Sequence, residues 1–183
     1  MPSTKQLIAE ALAASQQGNS LLAMQKLGEA ATIEPQSGIA HFLMAAEYAA
    51  ARNYDEAQRC FQESLRREPN FAIARFQYGL LLLSSGQAIP AETTWQPLDT
   101  LADGHYLKLF RNGLVHLAHD QFDQARQALQ AGITANTENL PLNHDMLQVI
   151  GRIDALQQPA QSDSPGDDTT SAQFLASAYG NRH

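Results

Sequence analysis

Cysteine is nearly absent from this chain. Cys60 stands alone among 183 residues, so no intrachain disulfide braces the fold. Basic residues are also scarce, 12 against 19 acidic, and the net charge of −7 leaves no cationic surplus to release phosphate counterions. A nucleic-acid partner and an anionic membrane surface are both disfavoured. Nowhere do about 18 apolar residues run together, which argues against insertion into a bilayer as a spanning helix. The opening Met1-Pro2-Ser3-Thr4-Lys5-Gln6 has no apolar core of a signal peptide, so a cytoplasmic location is the expectation. Glycine and proline, 11 and 8 residues, are too few for disorder throughout. There is no phosphate-cradling glycine loop and no Gly-x-Ser-x-Gly elbow. The reading is a non-enzyme with no catalytic residues, no cofactor and no metal.

What the chain does have is a period. Ala23, Ala57, Ala91 and Ala125 are spaced by 34 residues, and each follows a short polar turn. Leu27, Phe61, Trp95 and Leu129 form a second series at the same step, while Pro35 matches Pro69 and Gly79 matches Gly113. A small residue suits a close helix crossing, and a large apolar residue four positions on lies one turn away on the same face. With 44% apolar residues, the pattern predicts all-α helix–turn–helix units stacked on one another. The expected helix pairs are 4–17 with 20–33, 38–52 with 54–68, 72–85 with 88–101, and 106–119 with 122–135. Pro90 falls in a first helical turn, where its missing N–H costs little.

On these residues the chain resembles the tetratricopeptide repeat family, with fragments of its first-helix pairing at Tyr48, Tyr78-Gly79 and Asn112-Gly113. The resemblance implies a right-handed solenoid of four repeats, about 4–37, 38–71, 72–105 and 106–138. A helix at 139–157 suits a terminal cap, with Leu142, Met146, Val149, Ile150, Ile153 and Leu156 on one stripe. Residues 158–170 read as a polar linker and 171–183 as a short amphipathic tail carrying Phe174, Leu175 and Tyr179.

Candidate chemistry is thin. His116 and His119, beside Asp120, make an incomplete metal set; His144-Asp145 reads as a solvated first turn; Cys60 has no evident histidine base and reads as a buried thiol.

The family resemblance implies that the first helices line a concave groove. Counting by 34 along them gives Ile8, Phe42, Phe76 and Phe110, then Leu12, Ala46, Leu80 and Leu114 one turn later. One turn earlier come Lys5, Ile39, Ile73 and Leu107, and a further turn adds Ala49, Leu83 and Leu117. Peptide-binding relatives carry a polar carboxylate clamp at these places, and here nearly all are apolar. The resemblance thus extends to the fold and not to the clamp. So long an apolar strip exceeds what a monomer leaves bare. The expected cover is the chain's own tail, a second copy as a homodimer or tail-swapped dimer, or a partner's apolar helix. Alternatively these residues are simply interior. The function expected is a protein-interaction adaptor gripping an apolar helical segment. The alternative is a small acidic secretion-type chaperone that holds an aggregation-prone client.

Overall fold

The computed structural model describes residues 2–157, and the linker and tail expectations for 158–183 lie outside the described residues. All the regular structure described is helical: α1 Thr4–Gln16, α2 Ser20–Ile33, α3 Ile39–Ala50, α4 Tyr54–Arg67, α5 Ala72–Ser84, α6 Ala88–Trp95, α7 Tyr106–Ala118, α8 Phe122–Ala135 and α9 Leu140–Gln157.

The turn inside each pair is built the same way four times. Gly18, Arg52, Gly86 and Asp120, spaced by 34, adopt left-handed φ values of 74°, 59°, 76° and 57°. The residue after each donates its N–H to the carbonyl five residues back, from Asn19 to Ala14, Asn53 to Tyr48, Gln87 to Leu82 and Gln121 to His116, all at 2.9 Å. That bond, with the left-handed residue, is the Schellman ending of an α-helix, and it sets the angle at which the next helix departs. Asn19 then caps α2 by accepting from the Leu22 N–H.

Two compact units meet inside α5, one ending at Tyr78 and the other beginning at Gly79. In the first unit, Phe42 packs edge-on to Phe71 with ring centroids 5.2 Å apart, and Phe61 stacks on Tyr78 at 5.7 Å. The Tyr78 hydroxyl accepts from Gln62, so its polar end is satisfied. Gly38 opens α3 against the end of α4. Its N–H donates to a Glu68 carboxylate oxygen at 3.0 Å, and a Cβ there would lie 2.7 Å from the Ser64 carbonyl.

In the second unit, close helix crossings depend on glycine. A Cβ on Gly79 would lie 2.1 Å from the Trp95 indole nitrogen, and one on Gly113 would lie 2.6 Å from Leu129 Cγ. The two ruler series lie in the core: Ala23, Ala57, Ala91 and Ala125 have no exposed surface, nor do Phe61, Trp95 and Leu129, and Leu27 is 1% exposed. One expected helix is shorter than its register allows. α6 stops at Trp95 and tightens into a 3₁₀ turn, Gln96–Thr100, because Pro97 has no N–H to continue the α ladder. Lys108 ties down the connection that follows, donating to the Asp99 and Leu101 carbonyls and to the Asp103 carboxylate.

The joint to α9 is an asparagine network. Buried Asn136 accepts from the Glu138 and Asn139 N–H groups and donates to Asn143, and Asn139 accepts from the Leu142 N–H. Along α9, Leu142, Met146, Val149, Ile150 and Ile153 are buried. Leu156, expected on the same stripe, is half exposed, lying at the stripe's edge in the last turn.

Candidate functional site: the first-helix apolar strip

The predicted strip divides by burial. Ile8, Phe42 and Ile73 are partly exposed, while Leu12 and Ile39 keep 45% and 39% of their surface open. These five sit on α1, α3 and the first turn of α5, all within the first compact unit. The other seven predicted lining residues are buried: Phe76, Leu80, Leu83, Leu107, Phe110, Leu114 and Leu117. They are core, and the open groove expected at those places is corrected accordingly.

The reason is visible at Phe110. Its ring fills the space beside Gly132 of α8, where a Cβ would stand 2.4 Å from the ring edge. The side chain therefore packs inside its own helix pair. A glycine in mid-helix, destabilising by about 0.5–1 kcal/mol relative to alanine unless something needs the room, was the sequence signal for this.

Around the open strip the apolar surface is anchored from below. Ile8 packs on the fully buried cluster of Leu7, Ala30 and Ala40. Ser15 of α1 donates to the Glu47 carboxylate of α3, which ties the two helices side by side. Lys26 reaches Glu10 at 2.8 Å at the outer side of α1.

An ionic cluster lies at the α3–α4 end of the same unit. Arg66 donates twice to Glu63, both at 2.8 Å, and Arg67 approaches the same carboxylate at 2.6 Å. The Arg66 hydrogen bonds, above all, hold Glu63 down at about 2. Arg67 also donates to the Pro35 carbonyl and lies 3.2 Å from His41 Nε2. Since guanidinium only donates, Nε2 is the unprotonated nitrogen of His41. Burial, and then the Arg67 charge, push His41 below its ordinary value.

The remaining sequence candidates are dispersed. His116 pairs with Gln121, and His119 lies 3.1 Å from Glu92. His144 pairs with Gln148. Burial raises the half-buried Cys60 thiol, with Glu56 adding to it, which disfavours the nucleophilic thiolate. No group of three or more potential metal ligands occurs among the described residues. A groove of about 550 Å³ lies between α8 and α9, lined by Asp123, Arg126, Gln130, Thr134 and Asp154 among others. Its one cation is engaged, because Arg126 contacts Asp154 at 2.6 Å and donates to Gln157.

Four helix pairs with an identical left-handed turn and a small-against-large crossing define a tetratricopeptide-type solenoid fold. Residues 38–71, the second repeat, match the tetratricopeptide repeat family. Among solved structures, the chain is similar to a MamA RS-1 ArsTM double mutant, at 19% identity, covering 96% of this chain and 92% of that one with a TM-score of 0.60. It is also similar to MamA 41-end from Desulfovibrio magneticus RS-1, at 17% identity, covering 85% and 97% with a TM-score of 0.58. Among curated proteins none matches. No described helix is long and apolar enough to cross a membrane.

Proposed function

We propose that the chain is a non-enzymatic protein-interaction module whose docking face is the open part of the strip, Ile8, Leu12, Ile39, Phe42 and Ile73. The observation that carries this is the contrast in exposure at register-equivalent positions. Leu12 is 45% exposed, whereas Leu80 and Leu114, at the same register place, are 8% and 0% exposed. The ligand this surface suits is an apolar face of a helix. Ile8 and Leu12 stand at i and i+4 on α1, and Ile39 and Phe42 at i and i+3 on α3, so each pair shares one helical face. Fully burying a Leu or Ile is worth roughly 1.5–3 kcal/mol, and these side chains begin half buried, so each contributes about half of that. Affinity is accordingly modest, in the range expected of a reversible adaptor rather than of a permanent complex.

The test uses the full chain and a fluorescent amphipathic helix of leucine, alanine, glutamate and lysine, read by anisotropy. Leu12→Asp with Ile39→Asp is expected to weaken binding about tenfold or more while the thermal midpoint stays within error of the parent. Binding unchanged by the double substitution removes the strip as the docking face.

A further inference from the structure

α9 carries a second stripe, on the side away from its buried one. Leu140, Leu147 and Asp154 stand seven residues apart, and His144 and Gly151 follow the first two by four. That alternation of four and three is the seam spacing of a two-helix coiled coil. Its members lie open. Leu140 and Leu147 are 64% and 50% exposed, His144 and Gly151 are exposed, and the Asp154 side chain is half exposed.

The glycine in this stripe is of a different kind from those in the repeats. Gly79, Gly113 and Gly132 each leave room for a side chain of their own chain, Trp95, Leu129 and Phe110. Gly151 leaves room for nothing in the described chain, since a Cβ there would meet no atom within 4 Å. A glycine in mid-helix weakens the helix, and this one opens a hole one turn after the Leu147 knob.

Knob and hole are complementary under a two-fold axis. Leu147 and Gly151 lie two residues to either side of Val149, and His144 and Asp154 lie five to either side. In an antiparallel pair of α9 helices related by an axis at that level, each Leu147 meets the other copy's Gly151 and each His144 meets the other copy's Asp154. The polar layer matches in hydrogen bonding as well as in charge. The Gln148 amide nitrogen donates to His144 Nε2 at 2.9 Å, so Nδ1 carries the ring N–H. Both Arg126 contacts on Asp154 fall on Oδ1, which leaves Oδ2 to accept.

We propose that the outer stripe of α9 is a homodimer face, on which a second copy of this chain packs antiparallel with Leu147 against Gly151 and His144 against Asp154. The face lies in the second compact unit, apart from the docking strip on α1, α3 and α5, and stands independently of it. One 18-residue helix against its copy falls short of the roughly 1,200 Å² of a standard interface, so the dimer is weak, with a Kd on the order of 100 μM.

Sedimentation velocity of the full chain, from about 5 μM to about 1 mM, tests the pairing. The sedimentation coefficient should rise with concentration towards that of a dimer. His144→Asp sets like charges against each other and should raise the Kd about tenfold or more. Leu147→Gly should do the same by removing the knob. Adding Gly151→Leu to Leu147→Gly returns one leucine and one glycine to each layer, and most of the association should come back. Far-UV circular dichroism checks that α9 persists in each variant. A parent that stays monomeric at every concentration overturns the proposal. So does a dimer that His144→Asp leaves intact, or a helical swap variant that stays monomeric. Association lost in Leu12→Asp with Ile39→Asp also overturns it, because that places the interface on the strip.

Discussion

Replacing glycine with alanine inside a helix ordinarily stabilises it by about 0.5–1 kcal/mol, because the unfolded chain loses freedom and the helix gains a better former. Gly79→Ala should do the reverse. The new Cβ would lie 2.1 Å from the Trp95 indole nitrogen and 2.3 Å from Cε2, and Trp95 has no exposed surface through which to withdraw. Overpacking of this kind costs about 1–3 kcal/mol, so the net change is a loss of roughly 1–2 kcal/mol after the propensity gain is subtracted. At about 2–4 °C per kcal/mol for a chain of this size, the midpoint should fall by several degrees in a thermal melt followed by circular dichroism. Gly151→Ala is the control. It is a mid-helix glycine in α9 with nothing within 4 Å of the added carbon, and it should melt slightly above the parent. A second control recreates a pair the chain already contains, since Ala45 stands to Phe61 as residue 79 stands to residue 95. Gly79→Ala combined with Trp95→Phe should be less destabilised than the sum of the two single variants, by about 1 kcal/mol of coupling. Gly79→Ala melting at or above the parent, or additivity in the pair, refutes the small-against-large account of these crossings.

Gly18→Ala should destabilise by about 1 kcal/mol although a Cβ there meets nothing, because the cost is the left-handed backbone at φ 74° and not a clash; an unchanged urea midpoint would remove the turn from the argument. Phe76→Asp is expected to unfold the chain as thoroughly as Phe61→Asp, both sites being fully buried; a folded Phe76→Asp that merely loses ligand would return that residue to a docking surface. His41 titrates below its ordinary 6.5 in the folded chain, chiefly through burial and then through Arg67, with Arg66 opposing and Glu63 favouring its charge. The folded state thus binds its proton less readily than the unfolded one. This stability is complete above about 6.5 and is lost as pH falls towards the folded value. Between about pH 7.5 and 5.5 the melting midpoint of the parent should therefore fall more steeply than that of His41→Gln, and parallel curves would contradict the assignment.

The period carried most of the fold because each tick has one physical cause. A buried alanine at a helix crossing tolerates little else, and a left-handed turn selects glycine or a short polar residue, so Ala57 and Gly86 announce themselves. Arg52 was harder to see, since an arginine at φ 59° is held there by the turn on either side of it rather than by its own preference. Pro97 carries the signal for the early end of α6, because two residues after Trp95 it has no N–H to continue the α ladder. The strip was only half legible, for a different reason. Apolar identity at Ile8, Phe42, Phe76 and Phe110 is required equally by a groove that binds an apolar helix and by a core, so residue type at those positions alone does not separate the two. What separates them is the room opposite each ring. Phe110 faces Gly132, whereas the same place holds Ser64 in the second repeat and Ala30 in the first. For Phe110 that room is made on the other helix, 22 positions away at Gly132, while Phe76 is equally buried with Leu98 at the matching place, so no single residue type in the sequence decides the outcome.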